Sequence, residues 1–173
     1  MNLLDLPIGA GAPDVINMIV EIPCGTANKY EYDAALGVFR LDRTMYSAVH
    51  YPGDYGFAPR TVAEDGDPLD IVLITSHPAI TGALVECRPI AALEMRDEKG
   101  PDVKIIAVPT RNPRFDEYRD LASIPAHTRR EFDHFFRIYK ALEGKKSRRT
   151  TTYGWKNRAA AIRYVTAAHR AFK

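Results

Sequence analysis

The segment EDGDPLDIVLI, residues 64–74, places three aspartates within six positions and then continues directly into an apolar run. Two carboxylates about 4 Å apart repel by roughly 4 kcal/mol at an effective dielectric constant near 20. Asp65, Asp67 and Asp70 can therefore converge only where another group offsets that cost. Asp, Gly and Pro are also the usual residues of exposed turns, so a solvated loop is the alternative interpretation.

Short segments rich in β-branched and aromatic residues surround this stretch between residues 15 and 110. They are VINMIVEIP (15–23), KYEYD (29–33), GVFRLDR (37–43), IVLITS (71–76), ALVECRPIAALEM (83–95) and VKIIAVP (103–109). Pro, Gly, Asn and Asp separate them, which predicts five or six short strands. Their spacing favours an OB-like closed antiparallel β-barrel, although periodicity alone does not distinguish a barrel from a sandwich.

Two helices are predicted after Pro113. The first has one apolar face, consisting of Phe132, Phe135, Phe136, Tyr139 and Leu142, with Pro125 suited to its first turn and Gly144 to its end. The second, near residues 157–172, has Ile162, Val165, His169 and Phe172 along one face. Trp155 is expected to anchor it. The predicted fold is mainly β, with a barrel that these two helices cover.

The length of 173 residues suits a single domain, residues 1–173, with a core of its own. Cys24 and Cys87 lie in no metal or redox motif, which favours small buried residues in a reducing compartment. The first residues lack a basic segment, and no apolar run reaches the length of a membrane span. We therefore expect a cytoplasmic protein.

The net charge is only +2, but the two parts of the chain differ strongly. Residues 1–110 contain 8 Lys and Arg against 16 Asp and Glu, whereas residues 111–173 contain 16 against 6. A basic end can attract an anionic partner, and Lys145 and Lys146 in GKKSRR are candidates for that role. Basic helix faces are also often plain solvated surface.

Charged residues interrupt the predicted strands in a pattern that an ordinary surface does not explain. Glu21 lies inside the apolar run MIVEIP. Lys29 and Glu31 are two residues apart, so both point to the same face of a strand. Asp102 and Lys104 repeat this spacing, and Asp97 precedes them across a Gly-Pro turn. We expect these side chains to share a site with the aspartates of residues 64–74.

The residue types indicate the chemistry of that site. Carboxylate oxygens suit Mg²⁺ or Mn²⁺, and the absence of a His/Cys cluster argues against zinc. An EF-hand is a poor alternative because Asp70 stands where its loop needs Gly, Leu69 where it needs an oxygen ligand and Ser76 where it needs Glu. Cations for a polyanion are also present: Lys29, Arg43, Lys104 and Lys140. Carboxylates together with such cations are typical of phosphoryl transfer.

The segment EDGDPLDIVLI resembles the Asp-x-Asp-Pro-x-Asp signature of the soluble family I inorganic pyrophosphatases. The segments EIPCGTANKYEYD, LDRTMYSAVHYPGDYGF, DEKGPDVK and HFFRIYKALEGKK are similar to other blocks of the short bacterial members, in the same order along almost the whole chain. The resemblance implies an OB-type barrel, Mg²⁺ dependence and a homohexamer. In one departure, Ile138 stands where many bacterial members have His.

The same resemblance implies a role for each site residue. The implied metal ligands are Asp65, Asp70, Asp97 and Asp102, with Glu21 and Glu31 as acidic residues of the same site. Asp67 resembles the general base. The implied phosphate-binding groups are Lys29, Arg43, Tyr55, Lys104, Tyr139 and Lys140. The expected reaction is Mg²⁺-dependent hydrolysis of inorganic diphosphate to two orthophosphates by metal-activated water.

Two other functions deserve comparison. A nucleic-acid-binding OB-fold module would agree with the fold and with the basic C-terminal third, but the seven carboxylates of the predicted site would repel a phosphate backbone. A Ca²⁺-dependent interaction protein would not explain Lys29, Arg43 and Lys140. The sequence therefore favours the hydrolase.

Overall fold

The computed structural model describes residues 2–98, 100–144 and 150–172. The strands in these residues are β1 (Ile16–Ile22), β2 (Asn28–Asp33), β3 (Val38–Thr44), β4 (Asp54–Phe57), β5 (Asp70–Leu73), β6 (Leu84–Arg96), β7 (Pro101–Pro109) and β8 (Thr151–Asn157). The helices are α1 (Ala126–Ile138) and α2 (Arg158–Ala171). The prediction of a mainly β chain with two C-terminal helices is confirmed.

The strand pairings form a cycle. They run β1-β4-β5-β7-β6, and β6 also pairs with β1, while β8 extends the sheet beyond β6 and β2-β3 form a separate hairpin. The prediction of a wholly antiparallel sheet is wrong, because β5 and β7 are parallel, with Ile71 opposite Ile105. They run in the same direction because β6 lies between them in the chain and pairs on the far side of β7.

The buried residues form two clusters, one associated with each helix. Phe132 and Phe136 of α1 pack with Leu93 and Met95 of β6. A second cluster contains Ala161, Val165 and Ala168 of α2 together with Ile71, Ile105 and Met18 of the strands. Apolar burial of this kind contributes roughly 25 cal/mol per Å². Each helix therefore packs its own apolar face against the strands.

The helices differ in detail from the prediction. Helix α1 ends at Ile138 rather than near Gly144, and Leu142 is 60% exposed instead of joining the buried face. The buried face of α2 includes Ala161, Val165 and Ala168, and His169 is exposed. Alanine has no bulk beyond Cβ, so a helix can approach a sheet closely through its alanines. The large apolar residues of α2 therefore did not predict its whole buried face.

Two strands were not predicted. Strand β4 is four residues long and carries glycine, and β8 follows a basic run rather than an apolar one. Trp155 belongs to β8, and its ring centroid lies 6.4 Å from that of Phe132 on α1, so it packs against the first helix instead of the second. Lys145 and Lys146 lie outside the described residues.

Cys24 and Cys87 are both free thiols, and Cys87 is buried as predicted, whereas Cys24 is only half-buried. Within the described part of the chain, we find no helix with the length and apolar character needed to cross a bilayer.

Glycine is required in β4 by a close strand approach. Gly56 lies opposite Val20 of β1, and a Cβ placed on Gly56 would come within 1.9 Å of the carbonyl oxygen of Ile19. No side chain rotation relieves a contact between a Cβ and a backbone atom. The glycines of YPGDYGF therefore predict a turn, although part of this sequence forms strand β4.

We expect Gly56→Ala to lower the free energy of unfolding by about 3 kcal/mol, because β1 and β4 must separate to admit the methyl group. Gly37→Ala is the matched control. Gly37 has φ +70° with no atom near its Cβ position, so it should cost only about 1 kcal/mol for the left-handed backbone. Urea unfolding of both variants measures the difference, and equal losses would contradict the steric explanation.

Candidate active site

All thirteen residues that the sequence predicted for the site line the same cavity, which has a volume of about 600 Å³. They come from β1 (Glu21), β2 (Lys29, Glu31), β3 (Arg43), β4 (Tyr55), the β4-β5 connection (Asp65, Asp67), β5 (Asp70), the β6-β7 turn (Asp97), β7 (Asp102, Lys104) and the chain just after α1 (Tyr139, Lys140). The cavity is therefore assembled from segments far apart in sequence.

Lys104 is the most buried cation of the cavity, with only 3% of its surface exposed. Its Nζ contacts Asp70, lies 2.7 Å from Asp102 Oδ1 and donates to Tyr55 Oη at 3.1 Å. Burial pulls the pKa of Lys104 down, but Asp70, Tyr55 and Asp102 outweigh it and hold that pKa well above its usual value. Lys104 is therefore charged and balances the two carboxylates.

Lys140 balances a second pair of carboxylates. Its Nζ lies 3.0 Å from Asp97 Oδ2 and 2.8 Å from Glu98 Oε1, and 5.5 Å from the centroid of the Tyr139 ring. Burial lowers its pKa, but Tyr139, Glu98 and Asp97 together raise it above the usual value.

The β2-β3 hairpin supplies the remaining cations. Lys29 lies opposite Arg43 across the hairpin. Lys29 contacts Glu31, and its Nζ lies 3.5 Å from Asp42 Oδ2. Arg43 also contacts Asp42, and its Nε donates to Glu143 Oε1 at 2.7 Å. Both cations point into the cavity from one sheet face.

The sequence suggested that Asp65, Asp67 and Asp70 could converge on a single point, but in the structure they do not. Asp65 and Asp67 are exposed at the rim, and Asp65 Oδ1 accepts the Asp67 N–H at 3.1 Å. Asp70 pairs with Lys104 instead. Among residues 2–98, 100–144 and 150–172, no three His, Cys, Asp or Glu side chains are gathered closely enough to hold a metal ion. Lys104, which pairs with both Asp70 and Asp102, offsets the repulsion between those two carboxylates.

The donor set nevertheless fits a hard divalent cation. Every predicted ligand is a carboxylate, and such cations take oxygen ligands. The carboxylates of Asp70 on β5 and Asp102 on β7 both contact Lys104, so carboxylate oxygens from two strands lie close together. The residues present therefore match the chemistry of Mg²⁺ or Mn²⁺ rather than that of zinc.

Glu21 has the most altered acidity of the described carboxylates that line the cavity. Its Oε1 accepts the N–H of Tyr32 at 2.8 Å. Burial raises the pKa of Glu21 to about 8, and the nearby Asp70 charge adds to this, although the Tyr32 hydrogen bond opposes it. Glu21 therefore holds a proton over much of the neutral range.

Sequence reasoning missed three acidic residues that line the cavity: Asp42, Glu98 and Glu143. Asp42 and Glu98 are next in sequence to the predicted residues Arg43 and Asp97. Glu143 contacts Arg43 across 100 positions of sequence, so no local pattern indicates it.

The chain matches known proteins over nearly its whole length. The family model described as inorganic pyrophosphatase matches residues 18–173. An inorganic pyrophosphatase of Thermus thermophilus is 46% identical over 172 residues, covering 99% of this chain and 98% of that protein. One from Sulfolobus acidocaldarius is 44% identical, covering 87% and 88%. A crystal structure of the Thermus thermophilus inorganic pyrophosphatase covers 99% of both chains with a TM-score of 0.97 and 45% identity.

We expect Glu21→Gln to change the pH dependence of stability in protein stripped of metal with a chelator. The folded-state pKa of Glu21 is raised, so its stabilising contribution is complete below about pH 4.5 and is lost as pH rises through about 8. From about pH 5 to about pH 8.5, the unfolding free energy of the wild type should fall by roughly 3 kcal/mol relative to Glu21→Gln.

Urea unfolding at both pH values measures this difference. Glu117→Gln, at an exposed position, is the matched control and should follow the wild type. Parallel pH curves for wild type and Glu21→Gln would contradict the assignment.

Proposed function

The chain belongs to the inorganic pyrophosphatase family and hydrolyses inorganic diphosphate, and on this premise we propose that it does so with Mg²⁺ in the cavity described above. Family membership implies a divalent metal cofactor in general. The choice of Mg²⁺ is supported by a donor set made only of carboxylate oxygens. The observation that carries the proposal is that all thirteen predicted residues line one cavity.

Six carboxylates are proposed as metal ligands: Asp65, Asp70, Asp97, Asp102, Glu21 and Glu31. When bound, the divalent cations neutralise phosphate charge and lower the pKa of the attacking water from 15.7 toward about 7. The pairing of Asp70 and Asp102 with Lys104, and of Asp97 with Lys140, supports this role, because the same carboxylates already hold positive charge in the cavity.

Asp67 is proposed as the general base. It lines the cavity from an exposed loop, where its carboxylate can reach a water molecule. An oxygen of Asp67 takes a proton from the attacking water as the water oxygen bonds to phosphorus. The bridging P–O bond breaks, and the second phosphate leaves with the electron pair of that bond.

The proposed phosphate-binding groups are Lys29, Arg43, Tyr55, Lys104, Tyr139 and Lys140. Their cations approach the cavity from the hairpin, from β7 and from the end of α1. Charge that develops on the leaving phosphate is stabilised by these fixed donors, which need little reorganisation during the reaction. A nucleic-acid-binding function is disfavoured, because the same cavity carries so many carboxylates.

We also propose that the chain is one domain over residues 1–173 and that its sheet closes as an OB-type barrel. The cycle of pairings from β1 through β4, β5, β7 and β6 back to β1 supports the closure. A cytoplasmic location is likewise proposed, in line with the two free thiols.

We expect phosphate release from inorganic diphosphate to require Mg²⁺. Excess chelator should abolish the activity, and added Mg²⁺ should restore it. Ca²⁺ should inhibit, because its looser and larger coordination sphere positions ligands differently. A colorimetric phosphate assay measures all three conditions. Full activity in excess chelator would contradict the metal requirement.

Asp67 and Asp70 are three residues apart, but their substitution should affect different steps. Asp70→Asn should weaken Mg²⁺ binding and raise the Mg²⁺ concentration needed for half-maximal rate. Asp67→Asn should bind Mg²⁺ nearly normally, while kcat falls by about 10² to 10⁴, the usual contribution of a general base.

Rescue experiments separate the two roles. Higher pH should recover part of the Asp67→Asn loss, because hydroxide then forms without the base, and higher Mg²⁺ should recover part of the Asp70→Asn loss. If both variants respond only to Mg²⁺, Asp67 is a metal ligand and the base lies elsewhere.

A homohexamer is proposed for the assembly, with His134 as an interface candidate. Apolar Phe135 on α1 suggests itself for such an interface from the sequence, but it is 4% exposed and packs on Tyr51 within the chain. Support comes instead from exposed apolar side chains, among them Ile80 (78% exposed) and Leu84 (50%). Sedimentation at micromolar protein should give a species about six times the 19.4 kDa chain, and a stable monomer would contradict the proposal.

A further inference from the structure

The connection between β4 and β5, residues 58–69, carries Asp65 and Asp67 and begins with an unusual break in the strand ladder. Beyond the pair Phe57–Asp70, Ala58 donates its N–H directly to Leu69 O at 2.9 Å. A regular antiparallel pair would return a second direct bond. Here Leu69 donates instead to Thr61 Oγ1 at 2.9 Å, and the Thr61 hydroxyl donates to Ala58 O at 2.6 Å.

The Thr61 hydroxyl thus replaces one bond of the ladder, and it does so in a dry environment. Ala58, Thr61 and Leu69 are 0%, 2% and 3% exposed. A hydroxyl can donate and accept at once, and both functions are used here. Removing it would leave a buried N–H and a buried C=O unpaired, which is unfavourable because neither group can turn to water instead.

Other contacts hold the same segment in a conformation that would otherwise be unfavourable. Arg60 has φ 53°, which is uncommon for a residue with a side chain. Its N–H donates to Leu4 O at 2.9 Å, and its own carbonyl accepts from His169 Nδ1 of α2 at 2.8 Å. Val62 donates to Ala168 O of the same helix at 2.9 Å. Such strain persists only where the surroundings enforce it.

The loop closes on itself directly after these anchors. Ala63 donates its N–H to Asp67 O at 2.7 Å, and Gly66 donates to Ala63 O at 3.1 Å. Ala63 is two residues after Thr61, and Asp67 is two residues before Leu69. The backbone bond between Ala63 and Asp67 therefore lies close to the bridge that Thr61 makes to Leu69. Lys29, Arg43 and Lys140 are paired with carboxylates that lie outside this segment, on Glu31, Glu143 and Asp97 respectively.

We propose that Thr61 is a positioning residue for the hydrolytic step: its hydroxyl bridge between Ala58 and Leu69 sets the loop that aims Asp67 at the attacking water. The inference rests on the proposed role of Asp67 as general base. Misplacing a catalytic group by about 1 Å can cost about 10²-fold in rate. Substrate binding depends on groups carried by other elements, so it should not depend on Thr61.

Two substitutions at Thr61 test this role. Thr61→Val keeps the shape and removes the hydroxyl, and it should lower kcat by about 10- to 100-fold while KM for diphosphate stays within about threefold. Thr61→Ser keeps the hydroxyl and should retain kcat within about threefold. A Thr61→Ser variant as slow as Thr61→Val, or a loss confined to KM, would overturn the proposal.

A double-mutant cycle tests whether Thr61 acts through Asp67. In the Asp67→Asn background, adding Thr61→Val should reduce kcat by less than about threefold, because the group that it positions is already lost. Equal losses in both backgrounds would overturn the role of Thr61 while leaving Asp67 as the base. An unchanged kcat in Asp67→Asn alone would overturn the base assignment, and this proposal with it.

Hydrogen exchange of the wild type provides a test that needs no variant, should Thr61→Val fold poorly. The Leu69 amide should exchange as slowly as the amides of β5, because its partner is the buried hydroxyl. Exchange of Leu69 at the rate of an exposed loop amide would show that the bridge does not form, and would overturn the proposal.

Discussion

The arrangement of the strands around the cavity depends on the ion pairs that Lys104 makes with Asp70 and Asp102. A lysine this buried is tolerated only because two carboxylates and Tyr55 surround it. In turn, two aspartates from different strands can approach each other only because the lysine is there. The strands that carry these residues, β5 and β7, are the parallel pair at the centre of the sheet. The ion pairs of Lys104 therefore connect the two central strands through their side chains.

The opposite charges of the two parts of the chain meet in several ion pairs within the molecule. Basic residues that follow residue 110 meet acidic residues that precede it: Lys140 contacts Asp97, Lys156 contacts Glu94 and Arg158 contacts Asp14. Exposed pairs of this type contribute little individually. Part of the charge imbalance along the sequence is therefore balanced by ion pairs between its two parts.

The sequence predicted best what depends on near neighbours. The spacing of two residues correctly placed Lys29 with Glu31, and Asp102 with Lys104, and the apolar period of α1 identified Phe132 and Phe136. Contacts between distant segments could not be predicted in this way, and the pairing of Arg43 with Glu143 is one of them. Strand β4 was missed because Gly56 satisfies a steric requirement set by Ile19 on another strand. The predicted face of α2 was right only in part: Val165 is buried, but small alanines rather than Ile162 and Phe172 complete the buried face.

The contacts of α2 with residues 60 and 62 also have a consequence for synthesis of the chain on the ribosome. Val62 and Arg60 use Ala168 and His169 as partners, and these are translated more than 100 residues later. A nascent chain that has made all the described strands still lacks the helix that fixes the loop before Asp67. This loop therefore reaches its final geometry only after α2 has been synthesised and has packed against it.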